Sequence, residues 1–135
     1  MAYVNPRVRL FSQYLMTDDK PRRSRFNRYA GFESGLRKRN GAPKPAYAGF
    51  RLPLAVESYG RSDVLWGLVR PHRARTTVTI EVAPRGRPFR DLETLDTTST
   101  GVFSLRTRHR AGQRYRVSWT DPGGTTRRGA AVRAH

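Results

Sequence analysis

Residues 77–82 read Thr77-Val-Thr-Ile-Glu-Val82, and this run carries the main architectural information in the sequence. Its apolar residues, Val78, Ile80 and Val82, fall at every second position. Successive side chains of a β-strand point to opposite faces of the sheet, so such a run buries one face and exposes the other. The stretch therefore predicts a strand at the surface of a hydrophobic core.

The same alternation continues downstream and has a more apolar counterpart upstream. Tyr115, Val117 and Trp119 occupy alternate positions, as do Phe103 and Leu105, while residues 64–69 form a continuous apolar run. Turn-forming segments rich in Gly and Pro separate these runs, which begin about every 12 residues, the spacing of an all-β sandwich or barrel. We expect six or seven antiparallel strands over residues 62–134. Trp66, Tyr115 and Trp119 lie two positions from apolar residues of their runs, so we predict that their aromatic side chains belong to the core.

The first 60 residues follow a different pattern. Residues 8–16 predict a strand, residues 17–45 a long loop, and residues 45–52 a short helix that starts at Pro45 and stops before Pro53. One strand, one loop and one helix cannot enclose a core. We therefore divide the chain into residues 1–60, the trailing part of a larger domain, and residues 61–135, a β-sandwich module.

The formal net charge is +17, which raises nucleic acid as a partner. The charge is spread evenly, at +8 over residues 1–60 and +9 over residues 61–135, and 24 of the 27 basic residues are Arg. A cluster at residues 20–25 is most simply a solvated loop. Nucleic-acid binding is therefore not the preferred interpretation, although it stays open as an alternative.

Several kinds of chemistry lack their sequence signals. The chain has no Cys, which excludes disulfides and thiolate metal sites. His72, His109 and His135 lie far apart without acidic neighbours at ligand spacing, so we predict no metal or cofactor and a surface role for the first two. No G-x-S-x-G elbow or Gly-rich phosphate loop occurs. No apolar run is long enough to span a bilayer, and the first residues do not form a signal peptide.

A family resemblance adds to this picture. The segments Asn5-Pro-Arg-Val-Arg-Leu-Phe-Ser-Gln-Tyr-Leu-Met-Thr-Asp-Asp19, Gly31-Phe-Glu-Ser-Gly-Leu36 and Gly41-Ala-Pro-Lys-Pro-Ala-Tyr47 resemble the end of actinobacterial (β/α)8-barrel glycoside hydrolases, cellulase-like or family 39-like. The resemblance covers roughly residues 4–55. It implies that residues 1–60 are the last strand, loop and helix of a truncated TIM barrel, which when complete takes about 250 residues.

The second half is similar to the sandwich modules that follow such barrels. The matching elements are Trp66-Gly-Leu-Val-Arg-Pro71, Thr76-Thr-Val-Thr-Ile-Glu81, residues 97–103 and Tyr115-Arg-Val-Ser-Trp119. These are strand and turn signatures that specify architecture rather than ligand. The expected fold is mainly β: an immunoglobulin-like antiparallel β-sandwich preceded by a strand, loop and helix from the barrel.

The resemblance also implies which residues would border a sugar. Such barrels place both catalytic carboxylates on earlier strands, which this chain lacks, so we assign no catalytic residue. Gln13, Tyr14, Asp18 and Asp19 are the candidate substrate-binding residues. Gln13 stands where the barrels usually have Trp, and the neighbouring Tyr14 can partly replace that ring. For Asp18 and Asp19 the preferred alternative to a substrate contact is an exposed loop that caps or accepts hydrogen bonds.

The sequence thus predicts a basic, non-catalytic C-terminal part of a secreted glycoside hydrolase that is inactive alone. Its partners would be the upstream catalytic barrel and, through that barrel, a polysaccharide or oligosaccharide. The parent enzyme would be extracellular or at the cell surface. Two alternatives remain: an Arg-rich nucleic-acid-binding protein, and a stand-alone structural or adhesion sandwich with a flexible N-terminal tail.

Overall fold

The computed structural model describes residues 7, 12–20, 33–70, 72 and 74–134. They contain a seven-residue helix followed by eight strands. In chain order the elements are α1 (Pro45–Arg51), β1 (Leu54–Tyr59), β2 (Ser62–Leu68), β3 (Thr77–Ala83), β4 (Arg90–Asp96), β5 (Val102–Arg108), β6 (Arg114–Thr120), β7 (Thr126–Arg128) and β8 (Val132–Arg133).

The strands form two antiparallel sheets that face each other across one core. The smaller sheet has the order β1-β2-β5, and the larger has the order β4-β3-β6-β7, with β8 pairing with the other end of β6. Seven strands lie between residues 62 and 133, as the alternation predicted. The architecture is therefore a mainly β, antiparallel sandwich with one short helix.

The core residues come from the alternating runs. On β3, Val78, Ile80 and Val82 are buried, and so are Tyr115 and its alternate neighbours on β6. Residues of the smaller sheet and of segments next to the strands complete the core; its members are Leu52, Leu54, Leu65, Val69, Val78, Ile80, Val82, Phe103, Tyr115, Val117, Trp119 and Ala134. The predicted burial of Tyr115 and Trp119 is confirmed.

The prediction that Trp66 points into the core is wrong. On β2 the buried positions are Asp63, Leu65 and Gly67, whereas Trp66 is only half-buried on the opposite face. The reason lies across the strand pair, where Gly67 is opposite Phe103. A Cβ added at Gly67 would overlap the Phe103 ring, so this ring occupies the space above the glycine and the inward face of β2 is fixed.

The edge strand β4 has no fully buried residue. Its side chains are exposed apart from Leu92 and Leu95, which are half-buried against the core. The register between β3 and β4 shifts at Ile80 and Glu81, which marks a β-bulge. Among the described residues β4 pairs with β3 on one side and with no strand on the other.

The segment before the sandwich is irregular. Helix α1 confirms the predicted helix, but residues 12–16 form no strand, and residues 8–11 lie outside the described residues. In the described part of this segment, strand pairing is limited to isolated bridges of Arg37 with Thr17 and Pro43. An extended segment needs a neighbouring strand to pair its backbone groups, and within the described residues 12–20 the single bridge is that of Thr17 with Arg37. Residues 21–32 of the predicted loop also lie outside the described part. The origin of this segment in a barrel stays a prediction.

The smaller sheet begins at Leu54, before residue 62, where we expected the first strand of the sandwich. Strand β1 pairs along its length with β2, and the turn between the two strands contains residues 60 and 61, where we divided the chain. Leu52 and Leu54 are buried in the core at its start. Residues 52–59 are therefore part of the sandwich in structural terms.

Candidate functional site

The first two residues assigned to substrate binding, Gln13 and Tyr14, have different surroundings. The Gln13 side-chain amide donates to the carbonyl oxygens of Leu15 and Ser34, each at 3.0 Å. Tyr14 is 81% exposed. The amide of Gln13 is therefore engaged within its own segment, while the ring of Tyr14 is open to solvent. Their contact with a sugar stays a prediction.

The neighbouring carboxylates, Asp18 and Asp19, also differ. Asp18 Oδ1 accepts hydrogen bonds from Lys44 Nζ at 2.6 Å and from the Gly35 backbone nitrogen at 3.0 Å, and its side chain is 5% exposed. Asp19 is exposed and accepts from the backbone nitrogen of Lys20 at 2.8 Å. Asp18 thus joins residues 17–20 to residues 33–44, which is the structural role that a loop carboxylate often has.

A buried polar cluster that the sequence analysis missed lies between the two sheets. Asp63 of β2 is fully buried. Its Oδ1 accepts from Ser58 Oγ at 2.7 Å and contacts His109 Nδ1 at 2.8 Å, while its Oδ2 accepts from the Tyr115 hydroxyl at 3.0 Å. Because Asp63 and Tyr115 belong to different sheets, the cluster connects the two layers.

The hydrogen bonds keep Asp63 ionised despite its burial. Desolvation opposes the charged form, but the hydrogen bonds from His109, Ser58 and Tyr115 outweigh it and lower the pKa of Asp63 below its ordinary value. The pKa of Tyr115 is raised, first by burial and then by its hydrogen bond to Asp63. At neutral pH Tyr115 is therefore a neutral donor to a buried carboxylate.

The cluster does not have the geometry of a nucleophilic catalyst. A serine nucleophile needs a base within hydrogen-bonding reach of its hydroxyl. Here Ser58 and His109 both meet the same oxygen of Asp63, so the serine donates to the carboxylate rather than to the imidazole. Within residues 7, 12–20, 33–70, 72 and 74–134, no three His, Cys, Asp or Glu side chains are grouped to hold a metal ion.

The histidines are more engaged than the sequence suggested. His109 pairs with Asp63 and is half-buried, and the ring of His72 lies 5.6 Å from that of Trp119 in a tilted arrangement. The surface role predicted for them is thus too simple, because His109 is bonded to the buried Asp63 and His72 lies against the core residue Trp119. His135 lies outside the described residues.

An open cleft of about 500 Å³ lies between helix α1 and strand β7. Its form suits a ligand, since it is concave, has apolar walls and carries several cations. Its lining residues are Pro43, Lys44, Pro45, Tyr47, Ala48, Arg51, Leu52, Thr126, Arg127 and Arg128.

Tyr47 is held at the wall of this cleft by Arg37. The Arg37 guanidinium donates to the Tyr47 hydroxyl at 2.7 Å, and its central carbon lies 4.3 Å from the ring centroid. That hydrogen bond is the main cause that lowers the pKa of Tyr47; burial opposes it, and the charges of Arg37, Arg51 and Arg127 act in the same lowering direction. The wall around this phenol is therefore electropositive.

The outer face of the larger sheet is polar, and several of its hydroxyl groups form hydrogen bonds with side chains of the neighbouring strand. Thr79 bonds with Thr94 at 3.2 Å, and Thr77 donates to Asp96 at 2.9 Å. A shallow depression of about 320 Å³ lies on this face, lined by Thr76, Thr77, Thr79, Ser118, Trp119 and Thr120. Trp119 is buried, so the depression lacks the exposed aromatic ring on which a pyranose would stack.

Comparisons with known proteins find a similar fold but no similar sequence. No protein family matches the sequence, and no curated protein matches it. A superoxide reductase from Nanoarchaeum equitans has a similar structure, with a TM-score of 0.51 and 7% identity over 62% of this chain and 90% of the reductase. At that identity the similarity concerns the fold alone. In the described part of the chain, no helix has the length and apolar character required to cross a membrane.

Proposed function

We propose that this chain is the non-catalytic C-terminal part of a secreted glycoside hydrolase, with an immunoglobulin-like accessory sandwich that packs on or spaces the catalytic barrel. The observation that carries the non-catalytic part is the state of Asp63. This carboxylate has the best-placed histidine among the described residues, yet both of its oxygens are engaged inside the fold. A catalytic carboxylate must instead face the substrate.

Strand order supports the immunoglobulin-like assignment. The first, second and fifth strands lie in one sheet, and the third, sixth and seventh lie side by side in the other, as in immunoglobulin-like sandwiches. The assignment to a glycoside hydrolase rests on the resemblance over residues 4–55. The extracellular location and the polysaccharide partner of the parent follow from the same proposal.

An activity assay tests the non-catalytic proposal. We expect no turnover of chromogenic aryl glycosides by the purified chain, and no difference between the wild type and the variants Asp18→Asn and Asp19→Asn. Turnover that either substitution abolishes would contradict the proposal, because it would place catalysis on residues 17–20. The unfolding midpoint of each variant is measured alongside, since Asp18 also has a structural contact with Lys44.

A genomic observation tests the parent enzyme. We expect the DNA upstream of the coding region to continue in frame and to encode the seven missing β/α units of a barrel. An unrelated upstream sequence would remove the glycoside hydrolase part of the proposal and leave a stand-alone sandwich.

The net charge of +17 favours nucleic-acid binding as a second candidate. Binding of this type weakens log-linearly with salt, because displaced counterions drive it. Titration of a short DNA duplex at several salt concentrations separates the two candidates. Weak, shallow salt dependence is expected for the accessory module.

A further inference from the structure

The cleft between α1 and β7 has a one-sided charge. Four of its lining residues are cationic, Lys44, Arg51, Arg127 and Arg128, and none is acidic. The carboxylates that pair with three of them, Asp18, Asp121 and Glu81, lie outside the lining. The cleft thus presents cations to whatever enters it.

Arg127 and Arg128 are each held by a carboxylate that uses only one of their N–H donors. Arg127 donates to Asp121 Oδ2 at 2.7 Å and Arg128 donates to Glu81 Oε1 at 3.3 Å, and in both contacts the donor is Nε. A guanidinium has five N–H donors in a fixed plane. The terminal amino groups of both residues therefore remain available, on side chains that a carboxylate already holds in place.

Arg51 differs from its neighbours, since no carboxylate among the described residues pairs with it. Its guanidinium lies 5.6 Å from the ring centroid of Tyr47. Its backbone carbonyl accepts from the Arg70 backbone nitrogen at 2.8 Å, which joins the end of helix α1 to the loop that follows β2. The cleft thus contains one guanidinium without an anionic partner on an anchored backbone.

The shape of the cleft selects against a duplex. A volume of about 500 Å³ matches sites for small molecules, which are mostly apolar with a few polar groups. The apolar walls here come from Leu52, Ala48 and two prolines. Contacts with DNA phosphates instead spread over a broad basic surface.

We propose that the cleft binds a ligand of sugar size through an oxyanion group, with Arg51 as the principal contact and Arg127 and Arg128 as supporting donors. The oxyanion is a carboxylate, as in a uronic acid, or a phosphate ester. Arginine binds either in bidentate fashion. The sugar character of the ligand rests on the proposed function, whereas the oxyanion contact rests on the cleft alone and is measured on the chain by itself.

Calorimetric titration with three probes tests the inference: glucuronate, glucose 6-phosphate and neutral glucose. We expect the chain to bind at least one of the two acidic sugars and not glucose. The one that binds identifies the oxyanion as carboxylate or phosphate. Absence of binding by both acidic probes, or equal binding of glucose, would overturn the inference.

Two arginine variants locate the site. Arg51→Gln should weaken binding about tenfold, since a charge-assisted hydrogen bond contributes that order of affinity. Arg85→Gln is the matched control, because Arg85 is exposed in the turn after β3 and away from the cleft lining. It should change affinity by less than about twofold, as expected of an exposed charge screened by salt. Equal losses in both variants would show that net charge, and not the cleft, attracts the ligand.

A second variant keeps the test informative if Arg51→Gln unfolds. Arg128→Gln should also weaken binding, and Glu81 retains its contact with Arg116 in this variant. Thermal unfolding of each variant accompanies the titrations. A short DNA duplex serves as competitor, and displacement of the acidic sugar by DNA with equal sensitivity to Arg51→Gln and Arg85→Gln would contradict a specific site.

Discussion

Single residues in this sandwich take roles that neighbours along the chain do not reveal. Asp63 was overlooked because its partners His109 and Tyr115 lie 46 and 52 positions away. Asp63 lies two positions from Leu65 and therefore on the same face of β2. The sequence does not show that this face points inward, because residues 64–69 are apolar at every position. Trp66 was misplaced for the same reason. Where polar residues alternate with apolar ones, as around Ile80, the inward face was predicted correctly.

The buried carboxylate makes stability depend on pH. Because the pKa of Asp63 is lower in the folded chain than its ordinary value of about 3.9, its contribution is fully present above that value and is lost as pH falls through the lowered pKa. We expect Asp63→Asn to reduce the free energy of unfolding by about 2–3 kcal/mol at neutral pH, since it removes charge-assisted hydrogen bonds. The difference from wild type should shrink below about pH 4.

Urea unfolding followed across pH checks this prediction. Glu93→Gln is the control, because Glu93 is exposed on β4 and the substitution makes the same acid-to-amide change. It should leave stability nearly unchanged. A constant difference between wild type and Asp63→Asn from neutral to acidic pH would show that ionisation of Asp63 does not stabilise the fold.

At the level of elements, the alternating strands were predictable and the irregular ones were not. Strand β3 and strand β6 appeared with the expected buried faces. Strand β1 was missed as part of the sandwich because its apolar residues are clustered at one end, with the burial decreasing along the strand. The expected strand at residues 8–16 is absent over residues 12–16, since a run with suitable composition still needs a partner strand.

The two glycines in elements should respond oppositely to alanine. Gly67→Ala adds a Cβ that overlaps the Phe103 ring, so we expect a loss of about 1–3 kcal/mol in the free energy of unfolding. Gly49→Ala in helix α1 meets open space and should be neutral or stabilising by up to about 1 kcal/mol. Chemical denaturation of both variants provides the measurement. Equal effects would mean that the Phe103 ring moves aside without cost.

At the scale of the whole molecule, the unit that folds should begin before residue 52. The core includes Leu52 and Leu54, and β1 covers the edge of β2. The change in sequence pattern near residue 60 predicts two parts, and that division stays a prediction. The pattern did not show that β1 belongs to the smaller sheet, because this depends on the pairing of β1 with β2.

Truncation tests this unit. A chain of residues 33–135 should unfold cooperatively. A chain of residues 61–135 should not, because it lacks β1, leaves the edge of β2 unpaired and removes Leu52 and Leu54 from the core. Circular dichroism during thermal unfolding, together with the start of the fragment that survives limited proteolysis, gives the measurement. A resistant fragment that starts near residue 60 would instead show that β1 is dispensable and would favour the stand-alone sandwich with a flexible tail.

The exposed strand β4 has a consequence for how the protein behaves among its neighbours. An open sheet edge is a template on which strands of other chains can assemble. Here the register shift at Ile80 and Glu81 marks a bulge, a feature that bends strands, and the exposed positions of the edge include Arg90, Asp91 and Glu93. Charge and curvature at this border discourage intermolecular β-pairing, so copies crowded together can remain separate.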